Sequence, residues 1–386
     1  MRVAIDIRRA GDFGLGTYTR NIIYQLARAD RTTRYLLIGQ CRHFDLCGRL
    51  PDNFELVEYD APVGSLRTHT ALPWLLRRLR VDLLHMPWFY APAIVPSKLV
   101  ITVHDLTDVI QPSVGASAPV QAGRLYFARR ALARADRVLA VSQASKRDLS
   151  NTFGVDERKI EVIYNAVDDL LLREPAPADA DTILARHDIT GPYVLYAGNI
   201  KPQKNLPRLI EAFAVAKGEL ADDPRYAQLK LLLIGDAQTE QSDLRRAVVR
   251  SRVRGDVRFL GFVPQTVLRV FYARAAAFLF PSLYEGFGLP PLEAMAHGTP
   301  VLTSNVSSLP EVFGTAALLV NPENVFDIAR GIRQILTDDE LRASLVERGY
   351  DLVRRFSWER SAAQVHCVYE DVLAGRNKKL TASPCT

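Results

Sequence analysis

Short uninterrupted apolar runs, each closed by turn residues and followed by a helical rhythm, recur along the chain. The first, at residues 3–7, leads through a glycine-containing turn at 11–16 into apolar positions Tyr18, Ile22, Ile23 and Leu26. These are spaced by three and four, as on one face of a helix. The second, at residues 193–197, leads through 198–205 into Leu206, Leu209, Ile210 and Phe213. Further runs at 35–38, 54–59, 83–85, 100–103, 138–141 and 161–164 follow the first. Runs at 230–234, 257–260, 277–280 and 300–304 follow the second. Strands alternating with helices predict an α/β class with parallel sheets, and the restart near residue 190 predicts two such domains.

The length of 386 residues suits two domains. Residues 1–172 are expected to form the first and 193–356 the second. The PAPADAD stretch and a Gly-Pro pair mark 173–192 as a linker. A closing helix is expected at 357–374, with a flexible basic tail at 375–386. Four cysteines, Cys41, Cys47, Cys367 and Cys385, are too scattered for a disulfide framework or a paired zinc clamp, which fits a reduced compartment. The start, MRVAIDIRRAGDFG, has no signal-peptide core, and no stretch holds the roughly 18 apolar residues of a membrane span. The chain is therefore expected to be cytoplasmic, at most peripheral on the inner face of the membrane.

Net charge is +6, with the excess in the first half. Arg67, Arg77, Arg78 and Arg80 surround Trp74, and Arg124, Arg129, Arg130 and Arg134 surround Tyr126 and Phe127. Arginine mixed with aromatics suits an anionic membrane surface, or else a plain solvated face. Nucleic acid is not expected, because no recognised motif for it accompanies the charge.

Ligands of open parallel sheets bind beyond the carboxyl ends of strands, so the loops after the apolar runs hold the candidate chemistry. Residues 281–298 are the most informative. Glycines and prolines between Glu285 and Glu293 forbid one continuous helix. Glu285 is expected on a loop, and Glu293 on a short helix opened by Pro290 and Pro291 and closed by Gly298. The backbone of Gly286, Phe287, Gly288 and Leu289 would lie near that helix's positive pole, which invites a phosphate. After the run at 193–197, Lys201 and Lys204 offer mobile ammonium groups to a diphosphate, with Asn199 beside them on the same loop. His104 ends the run at 100–103, beside Asp105, where an imidazole can bond a sugar hydroxyl. His85 and His297 read as structural. Gly14, Gly16 and Tyr18 follow the first run, but their spacing misses the dinucleotide fingerprint G-x-G-x-x-G. A metal site is not expected, since Asp179 and Asp181 fall in the linker.

Taken together these residues resemble the retaining glycosyltransferases of family 4. The likeness extends to residues 141–149, 162–168, 198–205, 261–263, 303–311 and 356–359, and its most specific mark is the glutamate pair with seven residues between. It implies a GT-B fold, with two facing Rossmann-like domains, a central cleft and a last helix crossing back to the first domain. It also implies metal-independent sugar transfer with no cofactor. Glu293 would hold the donor ribose, Lys204 the diphosphate, residues 285–289 the sugar and phosphates, and His104 the sugar. Gly14, Gly16, Tyr18 and Asp105 would lie on the acceptor side. Many relatives carry arginine where this chain has Asn199, leaving Lys201 as the available replacement charge. The combined pattern of residues 104–106, 201–205 and 304–311 looks most like a bacterial mannosyltransferase branch, which implies GDP-mannose and a lipid-linked or polysaccharide acceptor. From the residues alone, an epimerase-like sugar-nucleotide enzyme and a non-catalytic membrane scaffold remain as alternatives.

Overall fold

Each apolar run read from the sequence is a strand, and the strands form two all-parallel sheets. The computed structural model describes residues 1–92, 94–110, 118–173, 180–235 and 241–376. The chain divides into two units, Met1–Asn165 with Ser357–Thr386, and Ala166–Phe356.

In the first unit, β1 (Arg2–Asp6), β2 (Arg34–Gly39), β3 (Phe54–Glu58), β4 (Leu83–Met86), β5 (Lys98–Val103), β6 (Arg137–Ala140) and β7 (Ile160–Val162) lie in the order β3-β2-β1-β4-β5-β6-β7. The central strands are buried along nearly their whole length, which is why their sequences run apolar without alternation. Order runs outward from β1 on one side and β4 on the other. The loops leaving these two strands therefore part and open a crevice at their carboxyl ends. The closing helix Trp358–Leu373 packs along Leu15–Ala29 in this unit. Two polar contacts hold it there: His366 Nε2 lies 3.0 Å from the Asp30 carboxylate, and the Tyr369 hydroxyl lies 2.6 Å from His85 Nδ1.

In the second unit, β8 (Tyr193–Ala197), β9 (Lys230–Ile234), β10 (Val257–Gly261), β11 (Ala277–Phe280), β12 (Val301–Ser304) and β13 (Leu318–Val320) lie in the order β10-β9-β8-β11-β12-β13. The same reversal falls between β8 and β11. The loops after those strands carry Lys204 and Glu285.

Three features depart from the sequence reading. β13 escaped it, being a three-residue edge strand inside an alanine- and leucine-rich stretch that carries no strand period. The division falls at Asn165, upstream of residue 172. Within the stretch read as linker, Ala180–Arg186 is a helix with Ala180 and Leu184 buried, and it packs on Gln265–Arg274. Residues 174–179, including Asp179, and the tail beyond 376 lie outside the described residues.

One glycine shapes the site. Gly235 follows β9 at φ +156°, and a Cβ there would lie 2.0 Å from the Gly198 carbonyl oxygen. The Gly198 amide in turn donates to Ile234 O at 3.0 Å. Gly235→Ala should therefore push the loop after β8 away and cost roughly 1–3 kcal/mol, read as a fall in thermal midpoint of several degrees. An unchanged midpoint would show that the loop yields freely.

Candidate active site

The loops after β8 and β11 meet through one ion pair. Lys204 Nζ lies 2.5 Å from Glu285 Oε1, and the two side chains are only 14% and 12% exposed, so water screens them little. The ammonium also sits 5.2 Å from the centre of the Phe280 ring. A short 3-10 turn, Pro202–Lys204, delivers the lysine. Asn205 then takes a left-handed φ of 62° and opens the helix Leu206–Glu219, a backbone region asparagine tolerates. Its buried amide nitrogen donates to the carbonyls of Pro281 at 3.0 Å and Pro322 at 2.6 Å. One side chain thus ties together the loops after β8, β11 and β13. Asn199 also stands after β8, with its carbonyl accepting from the Tyr196 hydroxyl at 2.8 Å, while Lys201 is exposed.

Glu285 is held through its main chain. Ser307 Oγ accepts from the Glu285 amide at 3.1 Å and donates to the Glu285 carbonyl at 2.6 Å, and Ser308 Oγ donates to that carbonyl at 2.9 Å. Gly286, Phe287, Gly288 and Leu289 are buried. Gly288, at φ 100°, caps the helix Leu289–Ala296 that carries Glu293. The Tyr272 hydroxyl donates to Glu293 Oε2 at 2.9 Å, and His297, stacked on Tyr272, donates from Nδ1 to the Glu293 carbonyl at 2.8 Å. Burial pushes the Glu293 carboxyl up to about 7, with the Tyr272 bond opposing and the Asp168 charge adding. A diol donating to this carboxylate would favour its charged form. Tyr272, Asn205, Ser307 and Ser308 were not singled out from the sequence. Asn205 and the two serines fall inside the family-like segments 198–205 and 303–311, where no role was expected of them, and Tyr272 falls in none.

In the first unit, His104 follows β5. Its Nε2 lies 3.1 Å from the Pro87 carbonyl, which can only accept, so Nε2 carries the hydrogen and Nδ1 the lone pair. Burial holds the imidazole down at about 4, with Asp105 opposing, so it is neutral at physiological pH. Asp105 Oδ1 accepts from the Thr107 amide at 2.8 Å. Tyr18 lies edge-on to His104 with ring centres 4.8 Å apart, but its ring is buried and its hydroxyl meets Thr102 Oγ1 at 2.9 Å. Gly14 begins the helix Leu15–Ala29 at φ 63°. The missing Cβ of Gly16 is used by the loop itself, since a Cβ would come 2.5 Å from the Ala10 carbonyl oxygen. His85 is fully buried, with both ring nitrogens engaged by Tyr369 and Thr102.

The same unit presents a basic aromatic face. Helices Leu66–Arg78 and Ala118–Arg134 contain Arg67, Arg77, Arg78, Arg124, Arg129, Arg130 and Arg134 and no acidic residue. They touch where His69 meets Phe127, ring centres 4.7 Å apart. Trp74, Tyr126 and Phe127 are exposed, and Arg78 covers the Trp74 ring. Arg134 instead bonds the carbonyls of Val95 and Ser97 and pairs with Asp136 at 3.3 Å. Among the described residues, no helix is long and apolar enough to cross a membrane.

Two Rossmann-like parallel-sheet domains define the GT-B class of fold, and a lysine–carboxylate pair stands at the second sheet's switch point. Residues 14–169 match the model of Glycosyltransferase Family 4, and residues 180–352 that of Glycosyl transferases group 1. The chain is 34% identical to O-antigen chain mannosyltransferase B of Escherichia coli over 77% of its own length and 76% of that protein. It is 30% identical to the serotype-specific mannosyltransferase WbdA of Escherichia coli over 69% of its length, spanning 33% of that larger chain. Anabaena Alr3699/HepE, solved in complex with UDP-glucose, superposes with a TM-score of 0.75 at 20% identity, over 96% of this chain and 100% of that one. The protein belongs to glycosyltransferase family 4, the group 1 glycosyltransferases.

The raised Glu293 value has a consequence for stability. The folded protein holds this proton more tightly than the unfolded chain, whose ordinary value is 4.5. Its contribution is therefore fully present below about pH 4.5 and is lost as pH climbs towards 7. Glu293→Gln should remove that loss, gaining roughly 1–3 kcal/mol over wild type at pH 8 and little at pH 4.5. Thermal unfolding of both proteins across this range checks it; a pH-independent difference would contradict the buried carboxylate.

Proposed function

We propose that the protein transfers mannose from GDP-mannose, with retained anomeric configuration and without a metal ion or other cofactor. The acceptor is a lipid-linked or polysaccharide glycan of the cell surface. The observation that carries this reading is the Lys204–Glu285 pair at the β8/β11 switch point, supported by likeness to an O-antigen chain mannosyltransferase. An epimerase or a non-catalytic scaffold has no comparable support.

In this reading the donor's diphosphate draws Lys204 away from Glu285, with the amides of residues 286–289 at the helix start and the exposed Lys201 adding positive potential. Glu293 accepts from the ribose diol. Charge grows on the phosphate as the sugar–oxygen bond breaks, and Lys204 and the amides stabilise it before much reorganisation is needed. Glu285, released from the lysine, faces the positive charge developing on the sugar, and in the first unit the neutral His104 keeps its Nδ1 lone pair for a sugar hydroxyl. The acceptor hydroxyl attacks from the face the diphosphate leaves, and its proton departs with the diphosphate. Retention follows because both events use one face. Gly14, Gly16, Tyr18 and Asp105 shape the acceptor side, Tyr18 through its packing on His104.

The basic aromatic face is assigned to an anionic membrane surface, where arginines meet headgroups and Trp74, Tyr126 and Phe127 enter the interface. This keeps the enzyme beside a lipid-linked acceptor.

The test is transfer from a panel of nucleotide sugars to lipid-linked acceptor in the presence of EDTA. The expected result is GDP release and an α-linked mannosyl product, with Lys204→Ala slowed by roughly 10²–10³. Transfer only from a UDP-sugar, loss of activity in EDTA, or an active Lys204→Ala would overturn the assignment. A second assay addresses the membrane: salt-sensitive sedimentation with phosphatidylglycerol vesicles, weakened by Trp74→Ala together with Arg129→Glu, is expected. Equal recovery with neutral vesicles would remove the anionic surface from the account.

A further inference from the structure

Ser307 lies between β12 and the helix Leu309–Phe313 with a left-handed φ of 60°. Such a conformation is costly for a residue with a Cβ, and strain of this kind tends to persist where the fold uses it. Here the strained residue's hydroxyl engages both polar main-chain groups of Glu285, accepting from its amide at 3.1 Å and donating to its carbonyl at 2.6 Å. The fully buried Ser308 adds a second donor to the same carbonyl at 2.9 Å. The next residues support the far end of the donor loop: a Cβ on Gly288 would come 3.0 Å from Leu309 Cδ2 and 3.0 Å from Phe313 Cε2. One segment, 307–313, therefore underlies both Glu285 and the start of the helix that carries Glu293.

We propose that Ser307 is a positioning residue for sugar transfer: its hydroxyl fixes the Glu285 backbone, and so the point from which that carboxylate meets Lys204 and the transferred sugar. The inference rests on the role given to Glu285 above. Ser307 itself touches no reacting atom. Without its hydroxyl the Glu285 main chain loses two of the three bonds the two serines give it, the loop samples other orientations, and the carboxylate is aligned for a smaller share of the time. Donor affinity, dominated by the diphosphate and ribose contacts, changes less than turnover.

Left-handed geometry supplies the discriminating experiment. Ser307→Ala and Ser307→Gly delete the same hydroxyl, but glycine relieves the backbone strain and alanine keeps it. Steady-state kinetics and thermal unfolding are measured on both variants, on wild type and on Glu285→Gln. Both serine variants are expected to lose roughly ten- to a hundredfold in kcat, with donor KM within about threefold of wild type. The glycine variant should nevertheless melt a few degrees above the alanine variant. If kcat instead follows melting temperature, so that Ser307→Gly recovers wild-type turnover, the residue is only structural and the proposal falls. It also falls if Glu285→Gln abolishes transfer while both serine variants keep wild-type kcat. A wild-type protein that transfers no sugar overturns the reading of Glu285, and this inference with it.

Discussion

A lysine ammonium and a glutamate carboxylate, facing each other where the second sheet reverses its strand order, set the terms for the rest of the site. Such a pair, mostly withdrawn from water, returns little net stability, because desolvation offsets most of the Coulomb gain. Leaving either charge alone there is expensive. The arrangement therefore makes sense as a ground state waiting for a third charge. In the proposed function a diphosphate would offer the lysine a stronger anionic partner and leave the carboxylate to face the transferred sugar. Asn205, Ser307, Ser308 and Tyr272 all serve this geometry by fixing the loops or the helix that bring the charged groups together.

The architecture was readable because parallel strands covered on both faces write themselves as uninterrupted apolar runs. Tyr193–Ala197 and Ala277–Phe280 show this, and no partner needs to be known to see it. Adjacency of the loops after β8 and β11 is a property of strand order; Lys204 and Glu285 stand just beyond apolar runs, but it was the family resemblance that gave them a shared ligand. What failed was local composition standing in for packing. The PAPADAD stretch looks like coil, yet its last two residues begin the Ala180–Arg186 helix, which belongs to the second unit because Ala180 and Leu184 find an apolar neighbour. A three-residue strand such as β13 owes its existence to β12 rather than to its own sequence.

The supporting residues were hidden for a different reason. Ser307 acts on the main chain of Glu285, and Asn205 acts on carbonyls at Pro281 and Pro322. Hydrogen bonds to a distant backbone leave no periodicity or charge pattern in the serine or asparagine that makes them, and the family-like segments that contain these residues do not say what they bond. In the first unit the reverse holds. Gly16 and Tyr18 were conspicuous in sequence, and the structure spends both on internal packing: the glycine against the Ala10 carbonyl, the tyrosine against Thr102 and His104. His104 keeps a lone pair on Nδ1 because a backbone carbonyl takes its one hydrogen, a division of roles that only coordinates reveal.

The central claim is that the Lys204–Glu285 pair is a diphosphate site held closed by its own carboxylate. Calorimetric titration of GDP into wild type, Lys204→Met and Glu285→Gln tests it directly. The account predicts that Lys204→Met weakens GDP binding by about tenfold or more, while Glu285→Gln binds GDP at least as tightly as wild type because the lysine no longer has a competing anion. A Lys204→Met protein that binds GDP with wild-type affinity would contradict it.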